Sequence, residues 1–201
     1  MTFPTLLLLH GWGFDASLWD GLAAAMPDWR LVRWDRGYFG EKAEPEIIGP
    51  FVAVGHSLGA MLLADLLAHD VPLIAINGFD RFSGDFGVPP RIVERMRTRF
   101  KEDPAAVVTE FRDRCGAPPP PEAMDEERLA RDLALLASRH IASHPNRILA
   151  LHGDDDPILP ASLRQTAFAG AERMSHPEGG HLLPVTHPEW CAQQIEAFLC
   201  R

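Results

Sequence analysis

Apolar residues in this chain fall in short, near-continuous runs, separated by segments with helical spacing. Thr5–His10 (TLLLLH), Arg30–Asp35, Phe51–His56 (FVAVGH), Val71–Asn77, Arg147–His152 and the weaker Glu172–Ser175 read as strands. Ala16–Met26, Leu58–Ala68, Ala161–Ala169 and Pro188–Leu199 read as helices. Strands that are apolar throughout, rather than at alternate positions, are buried on both faces, and their alternation with helices predicts a parallel sheet covered on each side. One stretch breaks the alternation. Residues 79–145 hold no convincing strand but three helix-like pieces, near Arg91–Lys101, Ala105–Arg114 and Asp125–Ile141. Pro118–Pro121 separates the second from the third, because proline cannot continue a helix. The pattern predicts a core built from residues 1–78 and 146–201, with 79–145 inserted as a helical lid.

Composition narrows this picture. At 201 residues the chain can bury a core without metal or disulfide staples. Its net charge of −9 disfavours general nucleic-acid binding, which needs Lys and Arg against phosphates. Cys115, Cys191 and Cys200 show neither a disulfide framework nor zinc spacing, which suits a reducing compartment. The run Leu6–Leu9 is too short for a signal sequence, and no stretch has the length of a membrane span. The expected location is the cytoplasm, away from membranes.

The candidate chemistry sits at the ends of the strands. Gly55-His56-Ser57-Leu58-Gly59 is a G-x-S-x-G placed directly between an apolar strand and an apolar helix. In that context the serine occupies a tight, strained turn that exposes its hydroxyl above the sheet. A serine that merely caps the helix is the other reading of the same residues. A nucleophilic serine needs a base, and the base needs an acid to orient it. Asp154, Asp155 and Asp156 follow the fifth strand, and His181 follows Gly179 and Gly180 on a loop before the last helix, so the order Ser, acid, His is satisfied. The three aspartates also admit a solvated turn or a metal site. His10-Gly11-Trp12-Gly13 follows the first strand, and the backbone N–H groups of Trp12 and Leu58 are the candidate oxyanion donors.

Taken together, LLLLHGWG, the Asp35-Arg36-Gly37-Tyr38-Phe39-Gly40 segment, GHSLG, HGDDDP and GGH resemble the α/β-hydrolase superfamily over nearly the whole chain. The resemblance implies a reduced α/β-hydrolase fold, with about six mostly parallel strands and an inserted helical lid. It selects Asp156 as the acid, because the family's acid is the Asp of G-x-x-D and Gly153 supplies the Gly. It implies Ser57 and His181 as nucleophile and base, Trp12 and Leu58 as oxyanion donors, and no metal or cofactor. This chain departs from the family where Glu41–Pro50 replaces a helix, since Pro45, Gly49 and Pro50 oppose one. A narrower resemblance, carried by HGWG, Ile76-Asn77-Gly78, Gly87–Arg91 and Phe111–Gly116, is to the small pimeloyl-acyl-carrier-protein methyl ester esterases of biotin synthesis. It implies a serine carboxylesterase acting on an acyl-chain methyl ester held by acyl carrier protein.

An independent feature agrees with such a partner. Arg91, Arg95 and Arg99 recur at every fourth position and share one helix face, a basic stripe on an acidic protein that suits an acidic carrier. Ile92, Met96 and Phe100 are expected to form the neighbouring, packed face. The same machinery would also serve a general carboxylesterase, a thioesterase or a C–C bond hydrolase. A receptor that binds without turnover, and a metal-dependent hydrolase using the aspartates, are the rivals from other classes.

Overall fold

A computed structural model describes residues 4–200; the outermost ends of the expected core, residues 1–3 and 201, lie outside it. Six strands form one sheet: β1 (Thr5–Leu9), β2 (Leu31–Trp34), β3 (Phe51–His56), β4 (Leu73–Ile76), β5 (Ile148–Gly153) and β6 (Glu172–His176). The spatial order is β2-β1-β3-β4-β5-β6, and every pairing is parallel. The four inner strands are buried along almost their full length, while edge strands β2 and β6 are half-exposed. That is why the inner strands read as unbroken apolar runs and β6 reads weakly.

Helices α1 (Asp20–Ala25), α2 (Leu58–Leu66), α6 (Ala161–Thr166), α7 (Leu183–Thr186) and α8 (Pro188–Leu199) flank the sheet. The expected first helix divides into a 3₁₀ turn, Ala16–Trp19, and α1. Asp15 caps that turn by accepting the Ser17 N–H. Helix α7 is too short to have been visible as a periodic pattern. No helix forms over Glu41–Pro50.

Between β4 and β5 the chain leaves the sheet and forms α3 (Pro90–Glu102), α4 (Pro104–Cys115) and α5 (Glu126–Ser138). Helix α3 packs on α4 and α5. Its buried positions are Val93 and Phe100, with Met96 half-buried, while Ile92 is 47% exposed. The expected packed face of Ile92, Met96 and Phe100 is therefore rotated. Phe100 packs edge-on against Trp12, and Val93, one heptad earlier, shares its side of the helix.

Polar anchors join these helices to the core. Arg36, after β2, makes a bidentate ion pair with the buried Asp132 of α5, which also accepts the Tyr38 hydroxyl. Arg128 donates to the carbonyls of Arg36 and Gly37. The indole of Trp12 donates to the Leu129 carbonyl at 2.8 Å, and Arg112 of α4 donates to the Gly13 carbonyl at 2.8 Å.

Candidate active site

Parallel pairing brings the C-terminal ends of the strands to one edge of the sheet. Leu9 pairs with Gly55, Gly55 with Ala75, Ile76 with Leu151, and Gly153 with His176. The segments after β1, β3, β4, β5 and β6 thus meet at that edge, where open parallel sheets bind ligands.

Ser57 stands at the turn between β3 and α2 with φ 53° and ψ −122°, outside the ordinary backbone regions of an L-residue. Its neighbours enforce this. A Cβ at Gly55 would lie 2.3 Å from the Ala60 Cα, and one at Gly59 would lie 2.2 Å from the Leu9 carbonyl oxygen. Strand β3, the turn and α2 can approach so closely only because both flanking residues are glycine. Ser57 is 6% exposed.

The Ser57 hydroxyl lies 3.1 Å from Nε2 of His181, and Nδ1 of His181 lies 2.8 Å from Oδ2 of Asp156. Burial pushes the Asp156 carboxyl up. The His181 imidazole and the Leu159 and Ile158 N–H groups outweigh that and hold it well below the usual carboxylate range. An ionised carboxylate only accepts, so Nδ1 of His181 carries the proton and Nε2 offers its lone pair to the serine hydroxyl. Ile158 and Leu159 donate their N–H groups to Oδ1 of Asp156, at 2.7 and 3.0 Å. Asp154 and Asp155 are exposed, so only the third aspartate turns inward.

The segment after β1 runs beside the serine. A Cβ on Gly11 would come within 2.9 Å of the Ser57 Cβ. Among the described residues the backbone N–H groups of Trp12 and Leu58 have no hydrogen-bond acceptor, and both residues are buried. The Trp12 side chain belongs to the core, so this residue combines a packing role with a free backbone donor.

The profile of the alpha/beta hydrolase family matches residues 6–194. The chain belongs to this family. Two pimeloyl-[acyl-carrier protein] methyl ester esterases are similar to this α/β hydrolase. The one from Aromatoleum aromaticum is 25% identical over 98% of each chain. The one from Vibrio vulnificus is 22% identical over 97% of this chain and 94% of its own. An esterase from Exiguobacterium antarcticum shares the fold with a TM-score of 0.80 at 14% identity, covering 100% of this chain and 93% of its own. Among the described residues of this hydrolase, no helix is long and apolar enough to cross a membrane.

Three residues of the site carried no assigned role in the sequence reading. Asn77, buried and at φ 48°, donates its amide to Oδ2 of Asp156 at 2.9 Å and to the Gly180 carbonyl at 3.1 Å. It ties the acid to the loop that carries His181. His56 donates Nε2–H to the His181 carbonyl at 2.8 Å. Burial, together with the nearby His181, pushes its pKa down to about 3, so it stays neutral as a brace. Phe111 of α4 sits beside His181 with ring centroids 6.4 Å apart and packs on Trp12 at 5.0 Å. An asparagine following an apolar strand was the available signal for Asn77. His56 and Phe111 lie inside quoted motifs, Gly55–Gly59 and Phe111–Gly116, but their residue types there give no sign of these contacts.

The stripe on α3 is only partly free. Arg91 and Arg95 are exposed and make no ion pair among the described residues, but Arg99 is held by both oxygens of Glu110 on α4 at 2.6 and 2.7 Å. Between α3 and α4 runs a groove of about 240 Å³ lined by Ile92, Arg95, Met96, Arg99, Phe111 and Arg114.

Proposed function

We propose that this hydrolase is a serine carboxylesterase that cleaves the methyl ester of a pimeloyl chain carried on acyl carrier protein. The observation that carries the esterase reading is the unbroken hydrogen-bonded chain from Ser57 through His181 to Asp156. In this mechanism Ser57 Oγ attacks the ester carbonyl carbon while His181 Nε2 takes its proton. The carbonyl oxygen becomes an oxyanion held by the N–H groups of Trp12 and Leu58, a contribution worth about 10²–10³ in rate per donor. His181 then protonates the departing methoxide, and the acyl group stays on Ser57. A water attacks that acyl-enzyme, giving its proton to His181. Collapse releases the acid and returns the proton to Ser57. No step calls on a metal or cofactor.

The substrate assignment rests on the two relatives named for it and on the chemistry of the insertion. In this reading α3, α4 and α5 are the lid. The groove between α3 and α4 admits the acyl chain, ending at Phe111 beside His181. Arg91 and Arg95 at its rim meet the acidic carrier, while Arg99 reaches it only by giving up Glu110.

Intact mass of the carrier, followed with pimeloyl-acyl-carrier-protein methyl ester as substrate, tests the reading directly. Wild type should remove the mass of one methylene group and Ser57→Ala should not. An unchanged carrier, with small activated esters still cleaved, would discard the carrier substrate and leave the serine esterase.

A further inference from the structure

Arg112 is the most unusual charge in the molecule. It is 7% exposed, yet no carboxylate lies within ion-pairing distance of it among the described residues. Nε donates to the Pro118 carbonyl and Nη1 to the Gly13 carbonyl, each at 2.8 Å. The Phe14 and Phe39 rings flank the guanidinium at 5.1 and 5.6 Å. Nη2 has no partner among the described residues. A buried guanidinium without a counter-charge is costly, because neutral carbonyls and ring faces replace only part of its hydration.

Arg112 borders a cavity of about 190 Å³, lined also by Phe14, Leu18, Ala117, Leu182 and Val185. The cavity adjoins the site already described. Leu182 follows His181 directly, and Phe14 packs edge-on against His56 at 5.8 Å. The one acidic residue on the cavity wall is Asp15, whose Oδ1 accepts the N–H and hydroxyl of Ser17 and whose charge reaches Arg112 only from beyond ion-pairing distance.

We propose that this cavity binds a carboxylate carried by the substrate at a distance from the scissile ester, with Arg112 as its receptor. The inference rests on the serine-esterase reading but not on the carrier substrate. It names a second substrate class for the same centre: half-esters of dicarboxylic acids. The apolar wall of Phe14, Leu18 and Leu182 takes the methylene chain, and the substrate's carboxylate supplies the ion-pair partner that Arg112 lacks. A guanidinium with donors already fixed in direction suits a carboxylate better than a flexible ammonium does.

The test compares straight-chain dicarboxylic acid monomethyl esters with the dimethyl esters of the same length. For wild type, kcat/KM should favour the monoester at the fitting chain length by about tenfold or more. Arg112→Gln should cut that ratio by about tenfold, whatever it does to the two rates separately, because Arg112 also holds Gly13. Arg112→Lys should restore part of the ratio. Equal or better turnover of the dimethyl esters at every length, or a ratio unchanged in Arg112→Gln, would overturn the proposal. A second readout needs no turnover: calorimetric binding of the monoesters to Ser57→Ala protein, with and without Arg112→Gln. Binding that vanishes with Arg112→Gln supports the carboxylate site even if wild type cleaves neither ester, in which case the esterase reading alone falls. Absence of binding in Ser57→Ala protein sinks the carboxylate site.

Discussion

The sheet edge and the helical insertion are held together by different physics. At the edge, backbone meets backbone: Gly55 and Gly59 let α2 press on β3 and β1, and Gly153 lies so close to Gly179 that a Cβ would strike its carbonyl. The insertion packs Phe100 and Phe111 on Trp12 and is pinned to the core by a few polar anchors, namely Asp132 with Arg36 and Tyr38, Arg128 on two carbonyls, Trp12 on Leu129, and Arg112 on Gly13. The first kind of contact tolerates no added atom. The second is a small set of separable bonds. Two of these grip the very segment that carries the Trp12 N–H, so the insertion braces the candidate oxyanion donor.

Substitutions can pull the two regions apart. The largest effect is expected at the edge. Ser57→Ala should lower kcat on a small activated ester by about 10⁴–10⁶ while the unfolding midpoint stays near that of wild type. Asp132→Asn should do the reverse. It leaves the part-buried Arg36 without its counter-charge and should destabilise by about 2–3 kcal/mol in chemical denaturation. The exposed pair Glu94–Arg97 on α3 is the control, since Glu94→Gln should change stability by less than about 0.5 kcal/mol. If the two variants cost the same, the anchors are not special.

Trp12→Phe removes one anchor and keeps most of the packing. It removes the indole's bond to the Leu129 carbonyl, which should cost about 1 kcal/mol, and kcat should fall about tenfold with KM little changed. An unaltered kcat would mean that the insertion does not brace the oxyanion segment.

The smallest effect per step is the response to acid, and it should belong to the core. His56 and His152 are both buried in core strands, and burial first of all pushes their pKa values down to about 3 and about 4. Above pH ~6.5 both are neutral folded or unfolded. Below it the unfolded chain takes up protons that the fold refuses, so stability falls as pH drops toward the folded values. Each histidine contributes up to about 1.4 kcal/mol per pH unit over that range. Midpoints of urea unfolding between pH 7 and 4 measure the slope, and His152→Gln should flatten it.

Much of the edge was legible in the chain itself. Unbroken apolar runs mark strands buried on both faces, and GHSLG between such a run and a helix marks the turn at Ser57. The three aspartates were equivalent until Gly153 and the resemblance singled out Asp156, and in the structure Asp156 is the one of the three that is buried. The anchors were not legible. Arg36 and Asp132 lie far apart in sequence, and nothing local to either says that they meet. The rotation of α3 was hidden for a related reason. Ile92 and Val93 are equally apolar, and only Trp12, brought up from β1, decides which side of the helix is covered. Arg112 reads as one basic residue among several in a helix, and its missing carboxylate is visible only once the chain is folded.

Strands β4 and β5 are neighbours in the sheet, yet all of α3, α4 and α5 separates them in the chain. On the ribosome, four strands emerge before the insertion and two after it. Half-made sheet must therefore wait, with the open flank of β4 unpaired, while the helices are synthesised. Closing that long loop adds only a slowly growing entropic penalty, so equilibrium hardly registers its length. The burden falls on time instead. Pairing of such distant segments is slow, and an apolar strand left open is a site for the wrong partner. The helices of the insertion, once packed on the part of the core already made, shorten the effective distance between Ile76 and Ile148 and so hasten the step that completes the molecule.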